Sequence, residues 1–160
     1  MKKIININVN GSRQFGYFSE KEFKLSKLSY EDVDNFNLDR KCILVANYVR
    51  LCLGSMYISS CGRTELKNAS LQNSGKYSQH RIIKTSPVRA TDLHPKGTTV
   101  AKMQKWVINN RKVLYMLGVR GIGFYSWGVH FDVRPQKNMS AWGMNSTDLK
   151  KLKETKFWSI

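Results

Sequence analysis

The residues best suited to chemistry in this chain are its histidines and the few carboxylates beside them. The sequence holds only three histidines, and its 11 Asp and Glu are outnumbered by 27 Lys and Arg. Two triplets nonetheless join a histidine to a carboxylate, Asp92–His94 and His130–Asp132, and they contain the only acidic residues between positions 66 and 147. Carboxylates scattered over a surface would rarely fall this way, so the placement suggests a functional site.

A zinc site is the chemistry that these residue types favour. With the third histidine, His80, they supply two imidazoles and a carboxylate, a common ligand set for zinc in a tetrahedron whose fourth position holds water. A set without thiolate is typical of a catalytic rather than a structural zinc. The competing interpretation is that His80 and His94 lie in surface loops and that His130 only pairs with Asp132.

Two helices are predicted from apolar residues that recur every three or four positions. The first covers residues 39–53 and is followed by Gly54, a residue type that commonly ends helices. The second starts at a threonine cap, Thr98 or Thr99, and continues to Gly118 with one apolar and one basic face.

Strands are predicted in the opening segment, at Met56–Ile58, and in a hairpin formed by Ile122–Tyr125 and Val129–Arg134. In the last strand, a period of two places every second residue, from Val129 to Val133, on the core. The alternate residues, His130, Asp132 and Arg134, should then line a wet surface. These elements favour an α+β class with a small antiparallel sheet flanked by helices.

Three ordered motifs occur at Ser60–Asn68, at Ser78–His80 with Ala90–Asp92, and at His130–Arg134. They resemble, in that order, the Ser-Gly-Tyr-Arg-Ser-x-x-x-Asn, Ser-x-His-x-x-Gly-x-Ala-x-Asp and His-x-Asp motifs of the zinc D-alanyl-D-alanine carboxypeptidase family. That family shares its fold with the Hedgehog signalling domain, and its branch ending in a His-x-Asp strand is found in bacteriophage and bacterial wall-lytic proteins. The resemblance covers about residues 15–142 and implies a Hedgehog/DD-peptidase-like fold.

Carried over residue by residue, the resemblance implies a role for each matched side chain. His80, Asp92 and His130 would bind zinc, which polarises a scissile carbonyl and activates water at neutral pH. Arg63 would contact the substrate or stabilise the developing oxyanion. Ser78 would help to hold the substrate.

The chain departs from the family pattern between the first two ligands. The interval from His80 to Asp92 is five residues longer than in the motif, and Val88 stands where the family has glycine. An inserted turn around residues 84–87 would absorb the extra length. His94 is consequently an alternative ligand if the insertion displaces His80.

The general base is a second departure. Many family members have an acidic residue or histidine two or three positions before the final ligand, where this chain has Gly128 and Trp127. Strand alternation puts Asp132 on the same face as His130, so Asp132 is either the base or a partner that orients the imidazole. His94 is the other candidate for the base.

Composition limits the class of protein. A chain of 160 residues is expected to form one domain over 1–160, with a core at about 15–142 and a basic C-terminal tail or helix at 143–160. Apolar residues make up 41% of it, enough for a packed core. No apolar run reaches the 18 or so residues that a membrane-spanning helix needs. Three cysteines without metal or redox spacing are expected to be reduced.

The net charge of +16 points to polyanionic partners such as acidic cell-wall polymers. Nucleic acid is a less favoured partner because no known nucleic-acid-binding motif accompanies the charge. Asparagines interrupt the opening segment, so no signal peptide is predicted. We therefore expect synthesis in the cytoplasm and access to the wall through a helper or as part of a virion.

The expected function is a zinc metallopeptidase that hydrolyses a peptide bond in bacterial peptidoglycan, as a D,D-carboxypeptidase-like or endopeptidase-like enzyme. A phage endolysin or virion-associated lysin would fit the predicted location. The first alternative is a non-catalytic cell-wall-binding or virion structural protein that retains the fold. The second alternative is a basic nucleic-acid-binding protein in which the histidines are incidental.

Overall fold

A computed structural model of the chain describes residues 7–9, 12–19, 22–23, 37–71, 77–83 and 85–143. Within these ranges the chain forms eight strands, arranged in two sheets, and four helices, two of which pack on the larger sheet. The α+β class predicted from the sequence is therefore confirmed. The predicted tail or helix at 143–160 lies outside the described residues from position 144 onward.

Helix α1 spans Arg40–Leu53, as the apolar pattern predicts. Asp39 caps it, because its carboxylate accepts a hydrogen bond from the backbone N–H of Lys41 at 3.0 Å. Gly54 ends it with φ of 82°, a left-handed conformation that glycine adopts without strain. One face of α1 packs into the core through Cys42, Ile43, Val45, Ala46 and Val49.

The second predicted helix is not continuous, so the prediction of a single helix from Thr99 to Gly118 is wrong. The predicted segment forms two helices, α3 at Val100–Asn109 and α4 at Arg111–Met116. The label α2 belongs to a short helix earlier in the chain, at Glu65–Ala69. The break falls at Asn110, whose side-chain amide donates to the Trp106 carbonyl at 2.8 Å. The backbone N–H of Asn110 donates to the same carbonyl at 2.9 Å, but φ of −101° and ψ of 13° take this residue out of the helical conformation.

A small sheet precedes α1 in the chain. Its strands, β1 (Ile7–Val9), β2 (Ser12–Phe15) and β3 (Phe18–Ser19), are antiparallel and lie in chain order. The opening strand predicted from the sequence corresponds to β1. Phe18 is fully buried and attaches this sheet to the common core.

The larger sheet contains β4 (Met56–Ser60), β5 (Ala90–Pro95), β6 (Gly121–Tyr125), β7 (Gly128–Asp132) and β8 (Ser140–Trp142). Its spatial order is β4-β5-β7-β6-β8. The first four strands pair antiparallel, and β6 and β7 form the predicted hairpin. The expectation of a purely antiparallel sheet is wrong, because β8 pairs parallel to β6 and makes the sheet mixed.

The sheet register aligns one row of residues across four strands. Asp92 on β5 lies opposite His130 on β7, His130 lies opposite Gly123 on β6, and Gly123 lies opposite Trp142 on β8. Residues paired directly across neighbouring strands project from the same face of a sheet. The register therefore brings together a carboxylate and an imidazole that are 38 residues apart in the chain.

The two faces of β7 differ in chemistry but not in burial. Val129 and Phe131 pack into the core with Met103 and Val107 of α3, as predicted. The opposite face was expected to be wet, and that expectation is wrong for the strand itself. His130 is 7% exposed and Asp132 is not exposed at all, because neighbouring polar side chains cover them.

Among the residues that the structure describes, no helix has both the length and the hydropathy needed to cross a membrane.

Candidate metal centre

Three side chains predicted as ligands converge in the structure. His80 Nε2 lies 3.0 Å from His130 Nδ1 and 3.2 Å from Asp92 Oδ1, and His130 Nδ1 lies 2.7 Å from the same Asp92 oxygen. All three residues are buried, and the group could hold a metal ion. Ligand atoms about 2.0–2.2 Å from a zinc ion in a tetrahedron are about 3.3 Å apart, so a triangle of this size fits one face of such a site.

The backbone carbonyl of Cys61 sets the tautomer of His80. His80 Nδ1 lies 2.5 Å from this oxygen, which can only accept a hydrogen bond, so Nδ1 carries the hydrogen. In the neutral imidazole, Nε2 then presents its lone pair to the other two ligands. The segment that carries His80 is held near the end of β4 by a backbone hydrogen bond of 2.7 Å, which the N–H of Arg63 donates to the His80 carbonyl.

A carboxylate performs the same task for His130. His130 Nε2 lies 3.3 Å from Asp132 Oδ2, so this nitrogen donates and Nδ1 is left facing Asp92. Arg134 donates hydrogen bonds to both oxygens of Asp132, from Nε at 2.8 Å and from Nη2 at 2.5 Å. The residue opposite Asp132 on β6 has to be a glycine, Gly121, because a Cβ there would lie 2.1 Å from Asp132 Oδ2.

Arg63 orients the third ligand. Its Nη2 donates to the Asp92 oxygen Oδ2 at 3.0 Å, which turns the other oxygen toward the two imidazoles. Its Nε donates to Ser60 Oγ at 2.9 Å, and this bond ties the guanidinium to the end of β4. The side chain is 16% exposed, so Arg63 also reaches the edge of the centre.

The protonation of the metal-free cluster follows from burial and charge. Burial lowers the pKa of His80, and the opposing charge of Asp92 does not restore it, so His80 is neutral. Burial also acts to lower the pKa of His130, but hydrogen bonds to Asp132 and Asp92 outweigh it and raise that pKa above its ordinary value. Burial acts to raise the pKa of Asp92, yet the two imidazoles packed against its Oδ1, with protonated His130 donating to that oxygen, hold the pKa well below its usual range.

These protonation states describe a site that needs a positive charge. Without one, the lone pairs of two imidazole nitrogens and a carboxylate oxygen would face one another at about 3 Å, which is repulsive. In the metal-free protein, a proton on His130 supplies that charge. A divalent cation would replace the proton, so the chemistry of the donor set fits a metal.

The longer interval between the first two ligands does not displace His80. A backbone hydrogen bond of 3.3 Å from Ser86 N–H to the Ile83 carbonyl closes a turn within the predicted insertion. Val88 is buried and exchanges backbone hydrogen bonds with the segment before α1. The segment between His80 and β5 therefore leaves His80 beside the other two ligands.

Two of the predicted residues lie near the centre without joining the ligand triangle. Ser78 Oγ accepts a long hydrogen bond of 3.4 Å from the backbone N–H of His80. His94 is not part of the metal-binding group and instead packs its ring on Tyr57, with centroids 4.6 Å apart. The two residues are half-buried.

Two further residues lie at the centre. The sequence places Arg134 on the same strand face as His130 and Asp132 but indicates no role for it there. No signal in the sequence indicates Trp142, yet its ring packs near that of His130, with centroids 5.3 Å apart. Only the parallel pairing of β8 with β6 brings it there.

Comparison with known proteins gives no relative for this chain: no family model, no curated protein and no solved structure matches it.

Proposed function

We propose that the chain is a zinc-dependent peptidase that cleaves a peptide bond in bacterial peptidoglycan. One observation carries the proposal: His80, Asp92 and His130 present three ligand atoms within 4.8 Å of one another, and the hydrogen bonds to both histidines leave lone pairs that face the centre. A zinc ion bound there would polarise the scissile carbonyl and lower the pKa of its water to about 7.

The chain's own residues would orient the ligands. Cys61 through its carbonyl and Asp132 through its carboxylate hold the two imidazoles, and Arg63 holds Asp92. Of the two roles expected for Asp132, its contacts favour the orienting one. Both of its oxygens accept hydrogen bonds from Arg134, and the side chain has no exposed surface from which to reach a substrate.

Arg63 retains its proposed role toward the substrate. A guanidinium has five N–H groups, and the described bonds to Ser60 and Asp92 use two of them. A further N–H can donate to a carbonyl oxygen beside the ligand triangle. A fixed donor of this kind stabilises the charge that develops in the transition state, and removing one typically costs about 3 kcal/mol.

The finer assignments follow the resemblance in the sequence. The ordered motifs support the Hedgehog/DD-peptidase fold and membership of the zinc D-alanyl-D-alanine carboxypeptidase family. The charge of +16 supports attraction to a cell wall rich in carboxylates and phosphates. Action as a phage endolysin or virion-associated lysin would give the enzyme its route to the wall.

The second candidate is a module that retains the metal and binds the cell wall without cleaving it. The residues found where a general base is expected favour this candidate. Gly128 and Trp127 occupy the positions where family members carry an acid or histidine. Asp132 is engaged with His130 and Arg134, and His94 packs on Tyr57.

Metal content and bond cleavage together test the proposal. We expect about one zinc ion per chain by elemental analysis, lost in His80→Ala and His130→Ala but kept in the control His94→Ala, which replaces a histidine outside the triangle. Purified peptidoglycan should release new amino groups with the zinc-loaded protein, and a chelator should stop the release.

Each outcome selects one function. Zinc binding with wall sedimentation but no new amino groups would establish the binding module. Salt-sensitive binding to DNA or RNA that ignores the chelator, without zinc, would establish the nucleic-acid alternative. Equal zinc content in His80→Ala and His94→Ala would contradict the centre itself.

A further inference from the structure

Three aromatic side chains form a continuous surface that begins at the candidate metal centre. Trp142 lies beside His130, its Nε1–H donates to the Tyr125 hydroxyl at 3.0 Å, and the Tyr125 ring is stacked on Trp127 with centroids 4.9 Å apart and planes 6° apart. We call Tyr125, Trp127 and Trp142 the aromatic wall. Tyr125 is 36% exposed and the two indoles are half-buried, so the wall is accessible from solvent.

The wall is held in place from below. At Gly123, a Cβ would lie 2.7 Å from the Trp142 indole nitrogen and 2.9 Å from the Tyr125 ring, so both rings rest on a strand position that has no side chain. The Tyr125 carbonyl also accepts a hydrogen bond of 2.8 Å from Gln104 on α3. Rings fixed in this way lose little freedom when a ligand binds, which is the property that makes Trp and Tyr frequent at recognition surfaces.

The charges beside the wall argue against an anionic ligand. The wall residues themselves are uncharged. Two arginines lie beside the wall and the centre, and each is paired with a carboxylate: Arg63 with Asp92, and Arg134, whose guanidinium lies 5.9 Å from the centre of the Trp142 ring, with Asp132. A phosphate on the aromatic wall would therefore have to compete with a carboxylate for either guanidinium.

An uncharged sugar ring suits this surface. A pyranose presents a flat face of C–H groups, which the negative face of an aromatic ring attracts, and an edge of hydroxyls. The Tyr125 hydroxyl accepts from Trp142 and keeps its own hydrogen for a donor bond to such an edge. We infer that the aromatic wall binds an N-acetylated sugar of the peptidoglycan glycan strand, an inference that rests on the proposed function for its choice of polymer.

The position of the wall has a consequence for the substrate. The Trp142 ring lies against His130, a candidate zinc ligand. A sugar bound on the aromatic wall would therefore lie close to the bond that is cleaved. The enzyme would then act on stem peptides that still carry their sugar in preference to the same peptides without it.

Binding is tested first, because it does not require catalysis. The probe is a soluble oligomer of N-acetylglucosamine, titrated into the full chain with tryptophan fluorescence and calorimetry as readouts. We expect Trp127→Ala to weaken binding about tenfold or more. Trp106→Phe is the matched control, because Trp106 lies on α3 and packs against Tyr48. Tyr125→Phe keeps the ring and removes only the hydroxyl, and it should weaken binding several-fold.

The outcomes separate this inference from the proposed function. Loss of binding in Trp127→Ala with the control unchanged supports the wall, whether or not zinc is present. No binding by the wild-type chain, or equal binding by Trp127→Ala, overturns it. Competition by single-stranded DNA at lower concentration than the sugar oligomer also overturns it, in favour of a nucleic-acid surface.

Cleavage gives a second readout. With zinc bound, kcat/KM for a sugar-bearing muropeptide should exceed that for the bare peptide about tenfold in the wild type. Trp127→Ala should abolish this difference, whereas the control Trp106→Phe should keep it. A fall for both substrates alike would indicate a structural role and contradict the inference. Absence of any cleavage would count against the proposed function alone, since sugar binding stands on its own titration.

Discussion

Each imidazole of the candidate centre is controlled through the nitrogen that points away from the metal position. A neutral backbone carbonyl holds His80, whereas a carboxylate clamped by Arg134 holds His130. The difference matters because a carboxylate makes its imidazole more basic and a better ligand, while a carbonyl mainly fixes the tautomer. The pKa values of the two histidines accordingly move in opposite directions, down for His80 and up for His130.

Asp132→Asn tests the orienting role at the level of one atom. The amide keeps the size of the side chain but loses the charge that faces His130 and Arg134. We expect zinc affinity to fall about 10- to 100-fold, as for other partners of metal-bound histidines. Competition with a chromogenic chelator measures this fall.

Asp39→Asn is the matched control for that variant. It removes the same charge from the cap of α1, where asparagine caps as well as aspartate, and should leave zinc affinity unchanged. An unaltered affinity in Asp132→Asn would contradict the role assigned to Asp132.

The pH dependence of zinc affinity follows from the proton on His130. Its raised pKa means that His130 remains protonated to above its ordinary value of about 6.5, and zinc must displace that proton. Affinity should therefore increase with pH, about tenfold per unit below this pKa, and level off above it. Calorimetric titrations across this range would measure the slope. A flat profile down to pH values below about 6 would contradict this account.

At the scale of elements, strand β6 shapes the centre by what it lacks. Gly121 and Gly123 lie opposite Asp132 and His130 of β7 and leave space that neighbouring side chains fill. The Asp132 carboxylate fills the first space, and the rings of Trp142 and Tyr125 fill the second. The glycines of this hairpin strand are needed for close approach rather than for a turn.

Gly121→Ala is expected to displace the Asp132 carboxylate, because the new Cβ would lie 2.1 Å from Oδ2. Overpacking of this kind typically costs about 1–3 kcal/mol of stability. Zinc affinity should fall with it, since His130 loses its fixed partner. Thermal unfolding and zinc competition measure the two effects.

Ser140→Ala is the control for the glycine variant, because Ser140 pairs with Gly121 from β8 and is exposed. We expect it to leave both the unfolding temperature and the zinc affinity close to those of the wild type. If Gly121→Ala also left the unfolding temperature and the zinc affinity unchanged, the role assigned to the close contact between residue 121 and Asp132 would be contradicted.

At the scale of the whole molecule, the net charge of +16 acts over distances larger than the centre. It attracts polyanions regardless of the bond that is cleaved, but salt screens it, with a Debye length of about 10 Å at about 0.1 M. We expect sedimentation with purified cell walls to weaken steeply as ionic strength increases toward about 0.5 M, with zinc content unchanged. Sedimentation that does not depend on salt would mean that contacts other than charge hold the chain on the cell wall.

The sequence by itself determined the local elements and the types of residue available for chemistry. Apolar spacing predicts α1, and alternation predicts the β6–β7 hairpin, since these patterns depend on neighbours in the chain. The break at Asn110 was missed because the apolar spacing continues through one residue whose backbone leaves the helical conformation, with φ of −101° and ψ of 13°. The spacing of the histidines and carboxylates indicated a site before any contact was known.

Only the tertiary structure decided how those residues meet. The pairing of β5 with β7 places Asp92 against His130, and the fold of the preceding loop brings in His80, over separations that no local pattern encodes. Burial then decided that the polar face of β7 is covered rather than wet. The parallel addition of β8 positioned Trp142, because strand pairing joins segments through backbone hydrogen bonds, which every residue other than proline can provide irrespective of its side chain.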